Sequence, residues 1–119
     1  MWNSFLGKRI KGCGYAIKGA WTLIKTEPSI QVQTVIAILV TIAGFYFEIT
    51  SNEWMFQIFA IGLVMSIEGI NSAIEEIADF VHPDFHNKIG VIKDIAAGAV
   101  FFAAIVAIVI ACIIYIPKF

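Results

Sequence analysis

The sequence has little charge and few residues that interrupt a hydrophobic run. Charged side chains make up 14% of the 119 residues and only three are prolines, whereas 60% are hydrophobic. The mean hydropathy is +0.87. A water-soluble domain of this length cannot bury so much apolar surface. The composition therefore excludes an ordinary soluble domain and indicates an integral membrane protein.

The sequence also lacks the features of several other protein classes. No disulfide is expected, because the two cysteines, Cys13 and Cys112, should lie near opposite membrane faces. The glycines at 14 and 19 do not complete a phosphate-binding loop, because Ala20 stands where that loop needs lysine. The start of the chain does not resemble a signal peptide. The net charge of −1 by itself argues neither for nor against nucleic-acid binding, and no nucleic-acid partner is expected.

Three stretches are apolar and long enough to cross a bilayer as helices, which takes about 20 residues. They are residues 28–48, 54–80 and 92–116. Five of the eight lysines and arginines precede the first stretch, and the turn at 49–53 has none. The positive-inside rule then predicts a cytoplasmic N-terminus. We predict an all-α, multi-pass protein of the inner or plasma membrane, with residues 1–119 as a single domain.

Residues 1–26 are predicted to form an amphipathic helix on the membrane surface. Its apolar stripe, at about 100° per residue, comprises Leu6, Ile10, Cys13, Ile17, Ala20, Trp21 and Ile24. Lysines lie on the opposite side, together with Tyr15, and they could face water or phosphates. Alternatively, the helix is only a lipid anchor. Glu27 precedes Pro28, where it could cap the next helix or act as a ligand.

Small residues recur every fourth position in the last stretch, at Ala99, Ala103, Ala107 and Ala111. In lipid such spacing lets helices approach closely. We interpret the repeat as structural, and we expect the chain to associate with copies of itself.

Acidic and polar residues share one face of the second apolar stretch. Helical geometry brings together Glu68, Asn71, Ser72, Glu75 and Asp79, with Glu76 at the edge. An ionisable residue at the centre of a membrane helix costs about 2.5–3.5 kcal/mol. This face should therefore meet partners, water or ions.

The depth of these residues favours chemistry at the membrane boundary. A span that begins near Trp54 reaches the far boundary near Ala73, which places Glu68 about 10 Å deeper than Glu75. A carboxylate at that depth could take a proton from a lipid hydroxyl. Alternatively, the carboxylates pair with cations of neighbouring helices, mark the helix end or relay ions or protons. Lys93 could be a membrane anchor or a phosphate ligand.

These residues together resemble a known family. The resemblance rests on Glu68-Gly-Ile-Asn71-Ser-Ala-Ile-Glu75, Asp79, Asp84-Phe-His86, Lys93-Asp94-Ile-Ala-Ala-Gly-Ala, Gly14-Tyr15, Lys18-Gly19 and Glu27. In order and spacing they are similar to the prokaryotic diacylglycerol kinase and undecaprenol kinase family. The resemblance implies a homotrimeric lipid kinase in which each subunit contributes a surface helix and three spans. Its substrates would be MgATP and a membrane lipid alcohol.

The resemblance also implies roles for individual residues. Glu68 matches the catalytic base and Asn71 its neighbour, while Glu27 and Glu75 match the carboxylates that hold Mg²⁺ on the triphosphate. The implied nucleotide contacts are Lys8, Tyr15, Asp84, Phe85, His86, Lys93 and Asp94, together with Glu27 and Glu75.

Two positions depart from the family pattern, Gln31 and Ala97, and both are expected near the lipid substrate. The acceptor therefore stays open between diacylglycerol and undecaprenol. A non-enzymatic ion or proton pathway through Glu68 and Glu75 is the alternative function, and an adaptor that uses the basic helix is a third.

Overall fold

The computed structural model describes residues 4–119. Its helices are α1 (Phe5–Thr26), α2 (Pro28–Tyr46), α3 (Ser51–Val81) and α4 (Asn87–Tyr115), and a 3-10 turn follows at Ile116–Lys118. The predicted all-α fold is confirmed for this part of the chain. Pro28–Tyr46, Ser51–Val81 and Asn87–Lys118 are each long and apolar enough to cross a membrane, which agrees with the predicted number of spans.

The helix ends differ from the predicted spans because polar side chains cap them. At the start of α3, the Thr50 hydroxyl accepts from the Glu53 N–H at 3.2 Å and the Glu53 carboxylate accepts from the Thr50 N–H at 2.9 Å. This capping box starts the helix at Ser51 and not at residue 54. α4 begins at Asn87 and not at residue 92, because His86 caps it. The His86 Nδ1 atom accepts a hydrogen bond from the Lys88 N–H at 3.0 Å. A search for apolar windows misses these polar turns.

α2 ends at Tyr46, two residues before the predicted limit of 48. The chain turns there through Glu48, whose φ of 52° lies in the left-handed region. That conformation is uncommon for residues other than glycine.

The helix α1 covers residues 5–26 of the predicted surface helix; residues 1–3 of that prediction lie outside the described range. Phe5, Leu6, Ile17 and Trp21 are all exposed. Near its C-terminus α1 meets α3, where an added Cβ on Gly69 would lie 3.1 Å from Leu23 Cδ1. The glycine therefore leaves room for the Leu23 side chain against α3.

The bundle of α2, α3 and α4 has a thin core of small residues. Ala96 and Ala103, two turns apart on α4, are buried, and α4 makes its most extensive contact with α3. Within one chain, only part of the predicted alanine repeat is buried. Ala103 belongs to it, whereas Ala99 is exposed and both Ala107 and Ala111 line a cavity.

One end of the bundle, called the far end here, is joined by polar contacts. The buried Gln57 donates from its amide to the Val40 carbonyl at 3.0 Å and accepts a 2.5 Å hydrogen bond from the Tyr115 hydroxyl. Lys118 also pairs with Glu53 at 3.4 Å. These contacts connect α2, α3 and the end of α4, because in lipid a buried polar group needs a protein partner.

Candidate active site

The opposite end of the bundle, called the acidic end, consists of the last turns of α3 and the first turns of α2 and α4. One continuous helix of 31 residues, α3, carries the predicted acidic face. Glu68 is 9% exposed on it, whereas Glu75 and Asp79, two and three turns further on, are exposed. The face therefore runs from a buried carboxylate to carboxylates at the surface.

Glu68 and Asn71 of this face carry polar atoms that have no partner among residues 4–119. Glu68 forms no hydrogen bond or ion pair with residues 4–119. The Asn71 Oδ1 atom is buried and also has no partner within that range. Buried polar atoms are usually hydrogen-bonded, and leaving one unpaired is costly. Both groups are therefore available to an incoming donor, such as a hydroxyl.

A lysine from α4 reaches the surface carboxylates. Lys93 Nζ lies 2.6 Å from Asp79 Oδ1, and the charge of Glu75 acts on both Lys93 and Glu68. The alternative in which a carboxylate pairs with a neighbouring cation thus applies to Asp79. Glu68 and Glu75 make no ion pair in the described part of the chain. Glu68, Glu75 and Lys93 thus lie at the same end of the bundle, with Glu68 about two turns deeper than Glu75.

A groove of about 860 Å³ separates α1 from α3. It is lined by Tyr15, Lys18, Gly19, Thr22, Leu23, Thr26, Glu27, Gly69, Ser72, Ala73 and Glu76. Two predicted site residues, Tyr15 and Glu27, thus share one surface. The carboxylate that α3 contributes to this surface is Glu76 and not Glu75, because the adjacent positions point about 100° apart on a helix.

Sequence reasoning identified the lysine side of α1 but missed Thr22 and Thr26, which line this groove. Lys18, Thr22 and Thr26 follow Tyr15 at intervals of three and four residues, the spacing of a single helical face. The Thr22 and Thr26 hydroxyls donate to carbonyls one turn earlier, at 2.9 and 2.7 Å. That polar periodicity was the signal that could have identified the groove.

The loop between α3 and α4 holds three predicted nucleotide contacts. His86 caps α4, and the Asp84 carbonyl lies 2.7 Å from Nδ1 of His82. The Phe85 side chain is 84% exposed beside Gly90, where an added Cβ would lie 3.5 Å from the ring. These contacts fix the turn that leads into the helix carrying Lys93.

The remaining predicted residues lie outside the groove lining. Lys8 on α1 and Asp94 on α4 are exposed. The Gln31 amide donates to the carbonyls of Ile24 and Lys25, each at 3.1 Å, and so satisfies the end of α1. Ala97 is exposed on α4.

Two predicted metal ligands at the acidic end, Glu27 and Glu75, make no ion pair with the described residues. Glu27 is half-buried and Glu75 is exposed. That range contains no group of three His, Cys, Asp or Glu side chains arranged to hold a metal. Magnesium is usually bound by one or two carboxylates together with substrate phosphates. Two free carboxylates therefore suit an ion that the triphosphate also holds.

Known proteins resemble the chain over nearly its whole length. A family model described as prokaryotic diacylglycerol kinase matches residues 14–115. The chain is 34% identical over 113 residues to an undecaprenol kinase of Bacillus subtilis, covering 95% of this chain and 92% of that one. It is 30% identical over 105 residues to a diacylglycerol kinase of Escherichia coli K12, covering 88% and 86%. A diacylglycerol kinase of Haemophilus influenzae is 29% identical over 94 residues, covering 79% and 80%.

Proposed function

The chain belongs to the prokaryotic diacylglycerol kinase family and is a lipid kinase; on this premise we propose that it phosphorylates a membrane lipid alcohol with ATP at the acidic end of α3. The relatives are named for diacylglycerol and undecaprenol, so the acceptor is an alcohol of one of these kinds. The observation that carries the proposal is the buried Glu68 without a partner, two turns from the exposed Glu75. A lipid hydroxyl in the membrane and a nucleotide in water can meet between them.

Glu68 is the general base in this proposal. The proton of the lipid hydroxyl passes to a Glu68 carboxylate oxygen while the lipid oxygen forms a bond to the γ-phosphorus. The bond from that phosphorus to the β–γ bridging oxygen breaks, and ADP leaves with the electron pair. Asn71, one turn away and with a buried, unpaired Oδ1, is assigned to the region around the acceptor. Such a transfer depends mainly on positioning and on charge neutralisation.

Glu27 and Glu75 are the proposed carboxylate ligands of Mg²⁺. When bound with ATP, the ion neutralises charge on the phosphates. Glu27 lies in the groove with Tyr15, whereas Glu75 lies on the Lys93 side of α3. The two carboxylates would therefore approach a triphosphate from different sides of that helix.

The nucleotide contacts fall into three groups. We assign Lys8 and Tyr15 of α1, the 84–86 turn and the pair Lys93 and Asp94 of α4 to them. Lys93 supplies a cation near Glu75, and the exposed Phe85 offers an aromatic face. The groove beside Tyr15 is open enough, at about 860 Å³, for a nucleotide.

The acidic end faces the cytoplasm in this proposal, since ATP is there and since lysines and arginine cluster before α2. The exposed apolar residues of α1, such as Leu6 and Trp21, then lie in the membrane surface. We propose a homotrimer in the inner or plasma membrane, because α2–α4 bury little of their apolar surface within one chain. Gln31 and Ala97 stay assigned to the acceptor region.

The test is transfer of label from γ-labelled ATP to lipid. Detergent-solubilised full-length protein is incubated with diacylglycerol or undecaprenol, and the lipid fraction is separated. We expect labelled lipid from the unchanged chain and none from Glu68→Gln. Label that stays on ATP with every acceptor would contradict the proposal.

An ion or proton pathway has less support. Towards the far end, the side chains next to Glu68 are Val64 and Met65, which cannot relay protons. Gln57 is the next buried polar residue of α3 in that direction, about three turns away.

A further inference from the structure

Ser72 of α3 carries a buried hydroxyl at the groove between α1 and α3. The residue is 6% exposed and lines that groove, yet it forms no hydrogen bond with residues 4–119. A hydroxyl inside a helix can donate to the carbonyl four residues earlier. The threonines that do so here, at distances between 2.7 and 2.9 Å, are Thr22, Thr26, Thr34 and Thr41. The Ser72 donor does not, and it is therefore available to a ligand in the groove.

Ser72 lies between the two sides of α3 that the proposed function uses. At about 100° per residue, it points between Glu75, on the Lys93 side, and Glu76, which lines the groove. Residues three and four apart on a helix have Cβ atoms about 5–6 Å apart, so Ser72 neighbours both carboxylates and also Glu68, four residues earlier. A triphosphate that reaches from the groove to Glu75 therefore crosses α3 near Ser72.

The helix offers few hydrogen-bond donors at this crossing. The four carboxylates of residues 68–79 only accept hydrogen bonds when ionised, and the backbone N–H groups of a continuous helix are held by its own carbonyls. Two side chains of this segment can donate, Asn71 and Ser72. They point about 100° apart, and the groove lining includes Ser72 and not Asn71. Ser72 is thus the donor that this part of α3 presents to the groove.

We propose that Ser72 is a catalytic residue of the transfer, and that its hydroxyl donates a hydrogen bond to a non-bridging oxygen of the γ-phosphoryl group as this group moves towards the acceptor. The inference rests on the proposed function and adds a residue that touches the transferred group. Ser72 keeps its proton and forms no bond to phosphorus, while the proton of the lipid hydroxyl still passes to Glu68. The neighbouring groove residues of α3, Gly69 and Ala73, are small, so a phosphate can approach the helix closely.

Removal of the hydroxyl should slow the chemical step. Loss of one donor to a developing oxyanion costs about 10²–10³-fold in kcat. For Ser72→Ala we expect a fall of about ten-fold or more, since the phosphoryl charge is spread over three oxygens. The KM for MgATP should change less than about three-fold, which is the pattern of an interaction made chiefly in the transition state. The control is Ser66→Ala, on an exposed serine of the same helix, which should be fully active. A near-normal kcat in Ser72→Ala would overturn the proposal.

A pair of β-branched variants separates the hydroxyl from the shape of the side chain. Ser72→Thr and Ser72→Val introduce side chains of nearly the same volume, and only threonine has a hydroxyl. The kcat of Ser72→Thr should exceed that of Ser72→Val by about ten-fold, whatever the added methyl group costs both variants. Equal kcat values in two folded proteins would show that shape alone matters at this position and would overturn the proposal.

Nucleotide binding without chemistry separates a catalytic contact from a binding contact. The probe is a non-hydrolysable ATP analogue with a β–γ imido bridge, titrated with Mg²⁺ into the detergent-solubilised full-length protein. Ser72→Ala should bind it with a Kd within about three-fold of that of the unchanged chain. A Kd weakened about ten-fold with kcat unchanged would make Ser72 a ground-state nucleotide contact, and a phosphoserine at position 72 in the intact mass after turnover would make it a nucleophile. Either result would overturn the proposed role.

Failure of this inference can be told apart from failure of the proposed function. If Glu68→Gln is inactive and Ser72→Ala is normal, the role of Ser72 is wrong and the proposed function stands. If the unchanged chain transfers no label from γ-labelled ATP to lipid, the proposed function is wrong and the role of Ser72 falls with it.

Discussion

The Lys93 ammonium donates a 2.6 Å hydrogen bond to Oδ1 of Asp79, and this contact joins the end of α3 to the second turn of α4. The two side chains are 34% and 59% exposed. Exposed ion pairs contribute little to stability, so the pair matters chiefly for where it holds the cation. It keeps Lys93 near Glu75, and in the proposed function a phosphate replaces Asp79 as the partner of Lys93.

Removal of the Lys93 charge should weaken nucleotide binding. We expect Lys93→Met to raise the KM for MgATP on the order of ten-fold, because charge-assisted hydrogen bonds to phosphate are among the strong ones. This KM is measured by steady-state kinetics at a saturating lipid concentration. The control is Lys118→Met, which loses the ion pair with Glu53 at the far end and should keep the normal KM. Equal kinetics of the two variants would remove Lys93 from the nucleotide site.

Glu68→Gln should abolish the chemical step. An amide cannot accept the hydroxyl proton as a base, and general-base catalysis contributes about 10²–10⁴-fold. We expect kcat to fall by that factor while nucleotide binding and oligomeric state are kept. The matched variant is Glu48→Gln in the turn between α2 and α3, which should be fully active. A Glu68→Gln protein with near-normal kcat would exclude this residue as the base.

The proposed metal ligands can be tested by titration with magnesium. Glu27→Gln and Glu75→Gln should each raise the Mg²⁺ concentration for half-maximal activity by about ten-fold, since each removes an anionic oxygen ligand. Glu76→Gln, next to Glu75 but directed into the groove, should shift it less than two-fold. If Glu76→Gln raised this Mg²⁺ concentration and Glu75→Gln did not, Glu76 would be the ligand on α3.

A larger residue at Gly69 should displace α1. An added Cβ would lie 3.1 Å from Leu23 Cδ1, and the branches of valine would force the helices apart, at a cost of about 1–3 kcal/mol for overpacking. We expect Gly69→Val to raise the KM for MgATP several-fold through the displaced Tyr15. Leu23→Ala in the same chain should restore it partly.

The control for this variant is Gly62→Val on the same helix, where nothing lies within 4 Å of an added Cβ. It introduces the same β-branched residue into α3 without meeting α1. If Gly62→Val and Gly69→Val had the same KM for MgATP, the contact between α1 and α3 would not contribute to the proposed nucleotide site.

The polar contacts of the far end should affect stability and not catalysis. Tyr115→Phe removes the donor to Gln57 Oε1, and we expect the free energy of unfolding in detergent to fall by about 1 kcal/mol. Unfolding monitored by circular dichroism measures the change. Tyr46→Phe is the control, because that side chain is 79% exposed. A loss of kcat in folded Tyr115→Phe would contradict the separation of the two ends.

Periodicity and length were enough to predict the spans and the acidic face. Glu68, Glu75 and Asp79 recur at intervals of seven and four, and any helix brings such positions together. Helix ends were less predictable, since capping by Thr50 and His86 depends on side-chain hydrogen bonds that hydropathy does not register. The family could be identified from the sequence, because the polar residues of its motifs occur in this chain in the same order and spacing.

The sequence by itself determined that this protein has three helices able to cross a membrane and a carboxylate-rich face on the second, because bilayer thickness and helical pitch are fixed. Only the tertiary structure decided that Asp79 pairs with Lys93, that Glu76 enters the groove of Tyr15 and Glu27, and that Ala107 lines a cavity. Those contacts depend on how each helix is rotated about its axis and packed against the others. That rotation is set by side chains far apart in the chain, such as Leu23 against Gly69, and no local pattern encodes it.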